Sequence, residues 1–188
     1  MKKRGRPKGG AQIGHEVILS AAFELLNRAG HQGLSMRALA KELGVTPMAL
    51  YSHFTDRDAL VRGMSDTIYA QVVKKFESTQ GKPHRQLEKL LSLYYEAVVQ
   101  FPHLTVLIFA STTEFSKETQ KINYHLSNLL AESKLKISKR KMWLEILVDF
   151  THGSALAVAS APRSNKRFVE TQKLRYRRQL AELLSHIF

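Results

Sequence analysis

Apolar residues recur at intervals of three and four along nearly the whole chain, which is the spacing of amphipathic α-helices. The longer stripes predict helices at residues 14–29, 56–77, 87–101, 103–110, 116–133, 138–161 and 166–188. No segment has the strict alternation of a β-strand. With two short helices between residues 35 and 54, the pattern predicts an all-α protein of about nine helices.

Residues 35–54 contain two short helical stripes that are interrupted by Gly44-Val45-Thr46-Pro47. Gly44 suits the end of the first helix because glycine adopts positive φ without steric cost. Thr46 suits an N-cap and Pro47 the first helical position, so a second helix is predicted to begin at Pro47. Two helices of about eight residues joined by so short a turn form a helix-turn-helix, the unit that reads the DNA major groove. A helical hairpin unrelated to DNA is the alternative.

The predicted elements divide the chain into a small head and a larger remainder. The helix of residues 14–29 stops at Gly30 and supports the hairpin, which gives a three-helix head of residues 13–58. A capping-box spacing at Thr55 opens the helix of residues 56–77, which connects the head to the remainder. Residues 59–188 are long enough for a second helical domain.

The formal net charge is +13, and the imbalance is greatest at the N-terminus. Residues 1–13 hold five basic residues, no acidic residue and almost no apolar surface, so residues 1–12 are predicted to form a disordered basic arm. Its Arg4-Gly5-Arg6-Pro7 segment resembles an AT-hook, whose arginines enter the narrow minor groove of A·T-rich DNA. Arg4 and Arg6 are therefore candidate DNA contacts, either in the minor groove or within a plain phosphate-binding tail.

Several classes of chemistry find no support in the sequence. The chain has no cysteine, and its eight histidines lack the paired spacing of a metal site. It has neither a phosphate-cradling glycine loop nor a Gly-x-Ser-x-Gly elbow. We therefore expect no enzyme activity, no metal and no cofactor. Because no apolar run follows the N-terminal charges, we expect no secretory leader and a cytoplasmic location.

Four segments of the head carry a family pattern: Gly-Leu-Ser-Met-Arg-Ala-Leu-Ala at 33–40, Gly-Val at 44–45, Leu-Tyr-Ser-His-Phe at 50–54 and Arg-Asp-Ala-Leu at 57–60. With these segments, residues 13–69 resemble the DNA-binding domain of the tetracycline-repressor (TetR) family of bacterial regulators. Arg57 stands where the family usually has lysine. The resemblance implies a helix-turn-helix head followed by a larger helical domain that binds a ligand and dimerises.

The resemblance also implies which residues meet DNA. Ser35 and Met36 open the supporting helix at the phosphates, and Arg37 reaches a phosphate or a guanine. The other implied contacts are Thr46, Pro47, Met48, Ala49, Tyr51, Ser52, His53 and Arg57. The recognition helix has no Lys, Arg, Asn or Gln, so base reading is expected to rely on thymine methyl groups and on Arg37.

Aromatic residues predict an apolar effector pocket between the head and the dimer surface. The candidates are Tyr94, Tyr95, Phe101, Phe109, Phe115, Tyr124, Trp143, Asp149, Phe150 and His152. Packing in the core is the alternative role for each aromatic residue. Asp149 and His152 interrupt the apolar run of residues 144–161, and a buried carboxylate needs a partner. The two are expected to pair with each other, with a facing subunit or with a cationic ligand.

The last two predicted helices carry the expected oligomer surface. It consists of a stripe on the last helix and two small residues on the one before: Gly153, Ala157, Val169, Tyr176, Leu180, Leu183 and Ile187. The resemblance implies that these helices pair with their copies in a four-helix interface. Two-fold symmetry would then place two recognition helices roughly 34 Å apart on a pseudo-palindrome. Packing of the stripe within one chain is the alternative.

Together these features predict a ligand-responsive transcriptional regulator. We expect a repressor that binds a pseudo-palindromic operator as a homodimer and is released by a small lipophilic or aromatic effector. Release requires the effector to bind the DNA-incompetent state more tightly, because equal affinity for both states shifts nothing. The alternative is an architectural protein that binds A·T-rich DNA and has no effector.

Overall fold

The chain was analysed as a computed structural model that describes residues 13–111, 114–160 and 166–188. Within these ranges the chain forms helices and no strand, which confirms the all-α prediction. The predicted arm, with Arg4 and Arg6, lies outside the described residues. The helices of the described part are α1 His15–Gly33, α2 Met36–Glu42, α3 Pro47–Tyr51, α4 Arg57–Glu77, α5 Pro83–Gln100, α6 Pro102–Ala110, α7 Lys117–Ala131, α8 Ile137–Ala159 and α9 Lys166–Ser185.

The internal contacts divide the chain into two compact units, with the division between Leu60 and Val61. The first unit holds α1, α2, α3 and the first residues of α4. The second unit holds the remainder of α4 and the helices from α5 to α9.

Two glycines with positive φ determine the turns of the first unit. Gly30 has φ 68° and ψ −176°, so regular helix stops there as predicted, although a further helical segment continues α1 to Gly33. Gly44 follows α2 with φ 66°, the left-handed conformation that a side chain would strain. The turn returns α3 onto α2, where Leu50 is fully buried.

Side-chain caps begin several helices, but not always at the predicted residue. Ser35 Oγ accepts from the amide of Ala38 at 3.1 Å and caps α2. The cap of α4 is Asp56, whose Oδ1 accepts from the amide of Ala59 at 2.6 Å, so the predicted cap at Thr55 is wrong by one residue. Thr46 precedes α3, which begins at Pro47 as predicted, but its hydroxyl makes no cap hydrogen bond.

In the second unit α5 contacts α6, α7, α8 and α9, and half of its residues are buried. Apolar side chains of α4 such as Met64 and Val72 are also buried. A hydroxyl cluster joins α4 to the start of α7: Ser65 Oγ lies 3.0 Å from Ser116 Oγ and 3.2 Å from Thr119 Oγ1. These buried hydroxyl groups satisfy one another and position the start of α7 against α4.

Among the described residues no single helix is both long and apolar enough to cross a membrane. Only α5 and α6 together reach the required length and composition, and the two are bent by 97° at the break between them.

Candidate functional site

Among the described residues of the first unit, Met48 on the surface of α3 is the most exposed large apolar side chain. Met48 is 74% exposed and Tyr51 is 43% exposed, although both belong to a helix whose Leu50 is fully buried. The other exposed residues of this surface are Thr46, Pro47, Ala49 and Ser52. A large apolar side chain that the fold leaves in solvent contributes little to folding and is available to a partner.

The first unit places other predicted contacts in different environments. Ser35 and Arg37 are exposed at the start of α2, whereas the side chain of Met36 is buried. Met36 would therefore meet a phosphate through its backbone amide, and this contact at the opening of α2 stays a prediction. His53 is half-buried, with its ring 6.4 Å from that of His15.

Arg57 has a structural role that the sequence pattern did not reveal. Its Nε donates to the carbonyl oxygen of Leu34 at 2.9 Å, and its Nη2 donates to that of His31 at 3.2 Å. The guanidinium thereby anchors the start of α4 to the segment between α1 and α2. These two bonds use two of the five N–H donors of the guanidinium, so the phosphate contact of Arg57 stays a prediction.

In the second unit, three of the predicted pocket residues lie together. Tyr94 Oη is 2.6 Å from Nε2 of His152, and both residues are buried. The ring of Phe109 meets the imidazole edge-on at 4.7 Å between centroids, yet Phe109 is 54% exposed. Nδ1 of His152 is buried and has no hydrogen-bond partner in the described part of the chain. The cluster therefore combines the aromatic rings of Tyr94 and Phe109 with the unsatisfied Nδ1 of His152.

Burial sets the protonation of this cluster. It lowers the pKa of His152 below its ordinary value, and the carboxylate of Asp149 opposes this only in part. Burial also raises the pKa of Tyr94 well above its ordinary value. At neutral pH the pair is therefore a neutral imidazole and a neutral phenol.

Tyr69 of α4 extends the cluster and was missed in the sequence. Its ring lies 5.4 Å from that of Tyr94, and it is buried. Burial raises the pKa of Tyr69, while hydrogen bonding with Tyr94 and Thr105 opposes the rise. A tyrosine within the apolar stripe of α4 was the available signal. The cluster thus connects α8, α5 and α4.

Tyr95 and Phe150 belong to a separate aromatic stack. Both rings are nearly parallel to that of Tyr176, at centroid distances of 4.1 Å for Tyr95 and 5.4 Å for Phe150. The Tyr176 hydroxyl donates to the carbonyl of Leu91 at 3.2 Å and lies 2.9 Å from Thr151 Oγ1. Burial raises the pKa of Tyr176, so this hydroxyl stays protonated. Tyr95 is thus packed in the core, the alternative role stated for it, whereas Phe150 is half-buried and also lines an open groove between α8 and α9.

The remaining pocket candidates do not join either cluster. Asp149 is exposed, so the expectation that its carboxylate is buried and needs a partner is wrong. Tyr124 is 64% exposed and its ring lies 5.9 Å from that of His125. Trp143 is half-buried. Helical periodicity could not separate these residues, because it fixes which positions share a face and not which face is covered.

The residues predicted for the dimer surface also differ in burial, some lying in the core and others in solvent. Tyr176, Leu180 and Ile187 are buried within the chain, so their assignment to an oligomer surface is wrong, and Val169 and Leu183 are half-buried. Gly153 and Ala157 of α8 are exposed, and a Cβ added to Gly153 would meet no atom within 4 Å. They line an open groove of about 320 Å³ between α8 and α9, whose other wall includes Arg175 and Gln179.

Among the described residues no group of three or more His, Cys, Asp or Glu side chains is arranged to hold a metal ion. The exposed α3 on a three-helix head, followed by an all-helical second unit, defines a helix-turn-helix protein with a large C-terminal domain.

Comparison with known proteins identifies the family. Residues 18–64 match the family model of bacterial regulatory proteins, tetR family. The tetracycline repressor protein class C of Escherichia coli is 39% identical over 57 residues, which cover 30% of this chain and 26% of that protein. The N-terminal domain of the chain is therefore of the TetR-family type. It spans about a quarter of the length of such curated relatives.

Solved structures show that the likeness in fold extends over nearly the whole chain. Mycobacterium smegmatis BioQ has a TM-score of 0.76 at 20% identity, over 92% of this chain and 96% of that one. BioQ with its natural double-stranded DNA operator has a TM-score of 0.62 at 22% identity, over 88% of this chain and 96% of that one. At this level of identity the likeness concerns the fold.

Proposed function

We propose that this protein is a transcriptional regulator that binds a pseudo-palindromic operator as a homodimer and is released by a small lipophilic or aromatic effector. The observation that carries the proposal is the solvent-exposed apolar surface of α3, with Met48 and Tyr51, on a TetR-family head. The tetracycline repressors and the operator-bound BioQ support the same class of function. We assign the protein no catalytic step, and as a regulator of bacterial genes it would act in the cytoplasm.

The DNA surface combines apolar and polar contacts. Thr46, Pro47, Met48 and Ala49 supply groups for thymine methyls, and Arg37 supplies a guanidinium for a guanine or a phosphate. Tyr51, His53 and the opening of α2 at Ser35 contact the DNA backbone, whereas Ser52 contacts base edges. Arg57 anchors α4 with two carbonyl hydrogen bonds, and its remaining N–H donors add a phosphate contact.

The dimer surface in this proposal is the groove between α8 and α9. Gly153 and Ala157 allow a helix of a second copy to approach closely, and Phe150 adds a half-buried aromatic ring to the same groove. Small and apolar residues on an open helix face are typical of a helix-packing surface.

Selection of bound sequences from a random duplex pool tests the DNA-binding function. We expect a pseudo-palindromic sequence and a preference of at least about a thousandfold over unrelated duplex. Equal affinity for unrelated A·T-rich duplex would favour the architectural alternative. Tyr51→Ala is expected to weaken operator binding about tenfold without unfolding the protein. The matched control is Tyr124→Ala, which removes an exposed tyrosine from the second unit and should leave operator affinity unchanged.

Deletion of residues 1–10 tests the basic arm. If the arm neutralises about three phosphates, the slope of log K against log salt should fall by roughly 3 units. An unchanged slope would exclude the arm as a binding element. A reduced slope with a loss of affinity confined to A·T-rich operators would favour minor-groove insertion over a plain phosphate-binding tail.

Substitution in the groove tests the homodimer. Ala157→Arg places a charged side chain where a second copy would pack, so we expect a monomer at micromolar concentration in sedimentation velocity. The matched control is Ala131→Arg at the exposed end of α7. A dimer that withstands Ala157→Arg, or a wild-type monomer, would contradict this interface.

A further inference from the structure

The most informative unsatisfied group of the second unit is Nδ1 of His152. The residue is 7% exposed, its Nε2 is bonded to Tyr94, and Nδ1 has no partner in the described part of the chain. Buried polar atoms are nearly always hydrogen-bonded, because an unpaired one loses its hydrogen bonds to water without gaining one in the protein. An atom left in this state points to a partner from outside the chain.

Phe109 is the exposed aromatic side chain that packs beside this imidazole. It packs edge-on against the imidazole, yet more than half of its surface is in solvent. Moving such a ring exposes little additional apolar area, because most of its surface is already in solvent. The free-energy cost of the movement is therefore small. An aromatic ring from a ligand would restore the edge-on contact with His152.

The hydrogen-bond roles in the cluster limit the chemistry of that ligand. A neutral imidazole carries one N–H, so Nδ1 is either a donor or an acceptor, depending on whether Tyr94 donates to Nε2 or accepts from it. A hydroxyl group both donates and accepts and therefore satisfies Nδ1 in either tautomer. A carboxylate satisfies only the donor form and would also approach Asp149, one turn away on α8.

We propose that His152 and Phe109 form a gated site for an uncharged aromatic alcohol or phenol, whose hydroxyl bonds to Nδ1 while its ring replaces that of Phe109. This proposal rests on the proposed function, because the molecule that occupies the site is the effector of the regulator. Occupancy is transmitted through Tyr94 to Tyr69 of α4, since their rings are in contact.

Binding of three matched probes to the full chain tests the site: 1-naphthol, naphthalene and 1-naphthoate. We expect 1-naphthol to bind about tenfold more tightly than naphthalene, the gain of one buried hydrogen bond, and more tightly than 1-naphthoate. His152→Phe should remove the preference for 1-naphthol, whereas Tyr124→Ala should retain it. Equal affinity for 1-naphthol and naphthalene in the wild type would overturn the proposal, as would a folded His152→Phe variant that keeps the preference.

A second measurement needs no variant at this position. In protein with ¹⁵N-labelled histidine, 1-naphthol should shift the Nδ1 resonance of His152, and naphthalene should shift it less. An unchanged Nδ1 resonance at saturating 1-naphthol would overturn the site.

Operator binding is measured separately, so that the two proposals fail in different ways. If 1-naphthol shifts Nδ1 and leaves operator affinity unchanged, the site stands and effector control fails. If 1-naphthol releases the operator with Nδ1 unchanged, the site is overturned and effector control stands.

Discussion

The two units of this protein place their candidate functional residues in opposite environments. In the first unit, Met48 is 74% exposed and Tyr51 is 43% exposed on α3, so we expect the fold to depend little on their side chains. In the second unit, Tyr94 and His152 are buried and bonded to each other, so the same atoms serve both the fold and the candidate site.

This difference separates specificity from stability in one unit and couples them in the other. Substitutions in an exposed DNA-reading surface can change which operator is bound without lowering the free energy of unfolding. A substitution or a bound ligand at a buried polar cluster alters the free energy of the conformation that contains the cluster. Ligand binding there can therefore shift the balance between two conformations of the unit.

The largest expected effect separates core from surface within α3. Leu50→Ala removes a fully buried side chain and should lower the free energy of unfolding by about 2–5 kcal/mol. Met48→Ala, two residues away, should lower it by less than about 0.5 kcal/mol and weaken operator binding instead. Chemical denaturation of both variants measures the difference. Similar losses of stability would mean that the exposed surface of α3 supports the fold.

A smaller effect is expected for two adjacent tyrosines of α5. Tyr94→Phe removes the partner of His152 Nε2 and should cost about 1–3 kcal/mol, because it leaves a second buried imidazole nitrogen unsatisfied. Tyr95→Phe removes a buried hydroxyl that has no partner in the described residues, so stability should stay the same or rise. Denaturant melts compare the two variants. Equal costs would contradict the special role of the bond between Tyr94 and His152.

The sequence predicted the architecture well because periodicity, caps and breakers act locally. Gly30, Gly44 and Pro47 stand where the turns and the start of α3 require them. Local patterns do not, however, determine which apolar stripe faces the same chain and which faces solvent. For this reason Tyr176 was assigned to a dimer surface although it stacks between Tyr95 and Phe150.

The candidate sites were predicted less completely for the same physical reason. The opening of α2 and the surface of α3 follow from a motif with fixed geometry. Arg57 and Asp149 depend on tertiary surroundings instead: the first donates to distant carbonyls and the second turns to solvent. Tyr69 joins the polar cluster only because α4 passes beside α5, which no local pattern encodes.

The stability of the second unit should depend on pH through His152, which belongs both to the candidate site and to the core. Burial lowers the pKa of His152 below 6.5, so the unfolded chain takes up the proton more readily than the folded one. The neutral residue's contribution is complete above about pH 6.5 and declines as the pH falls through that value toward the folded pKa. The difference in unfolding free energy between wild type and His152→Phe should therefore shrink on acidification from pH 7.5 to pH 5.

Tyr95→Phe is the control for this pH dependence, because burial raises the pKa of Tyr95 and the substitution changes no group that titrates between pH 5 and pH 7.5. Its difference from the wild type should stay nearly constant over the same range. A constant difference for His152→Phe as well would mean that the buried imidazole does not resist protonation.

The smallest effect is expected on the surface of the first unit. Arg28 Nη2 lies 2.7 Å from Glu42 Oε2 and links α1 to α2, but both side chains are well exposed. Solvent and salt screen such a pair, so Glu42→Gln should change the free energy of unfolding by no more than about 0.5 kcal/mol. Denaturant melts at low and high salt measure the change. A loss above about 1 kcal/mol that persists at high salt would show that surface pairs in the head support its fold, and the contrast with the buried cluster of the second unit would then weaken.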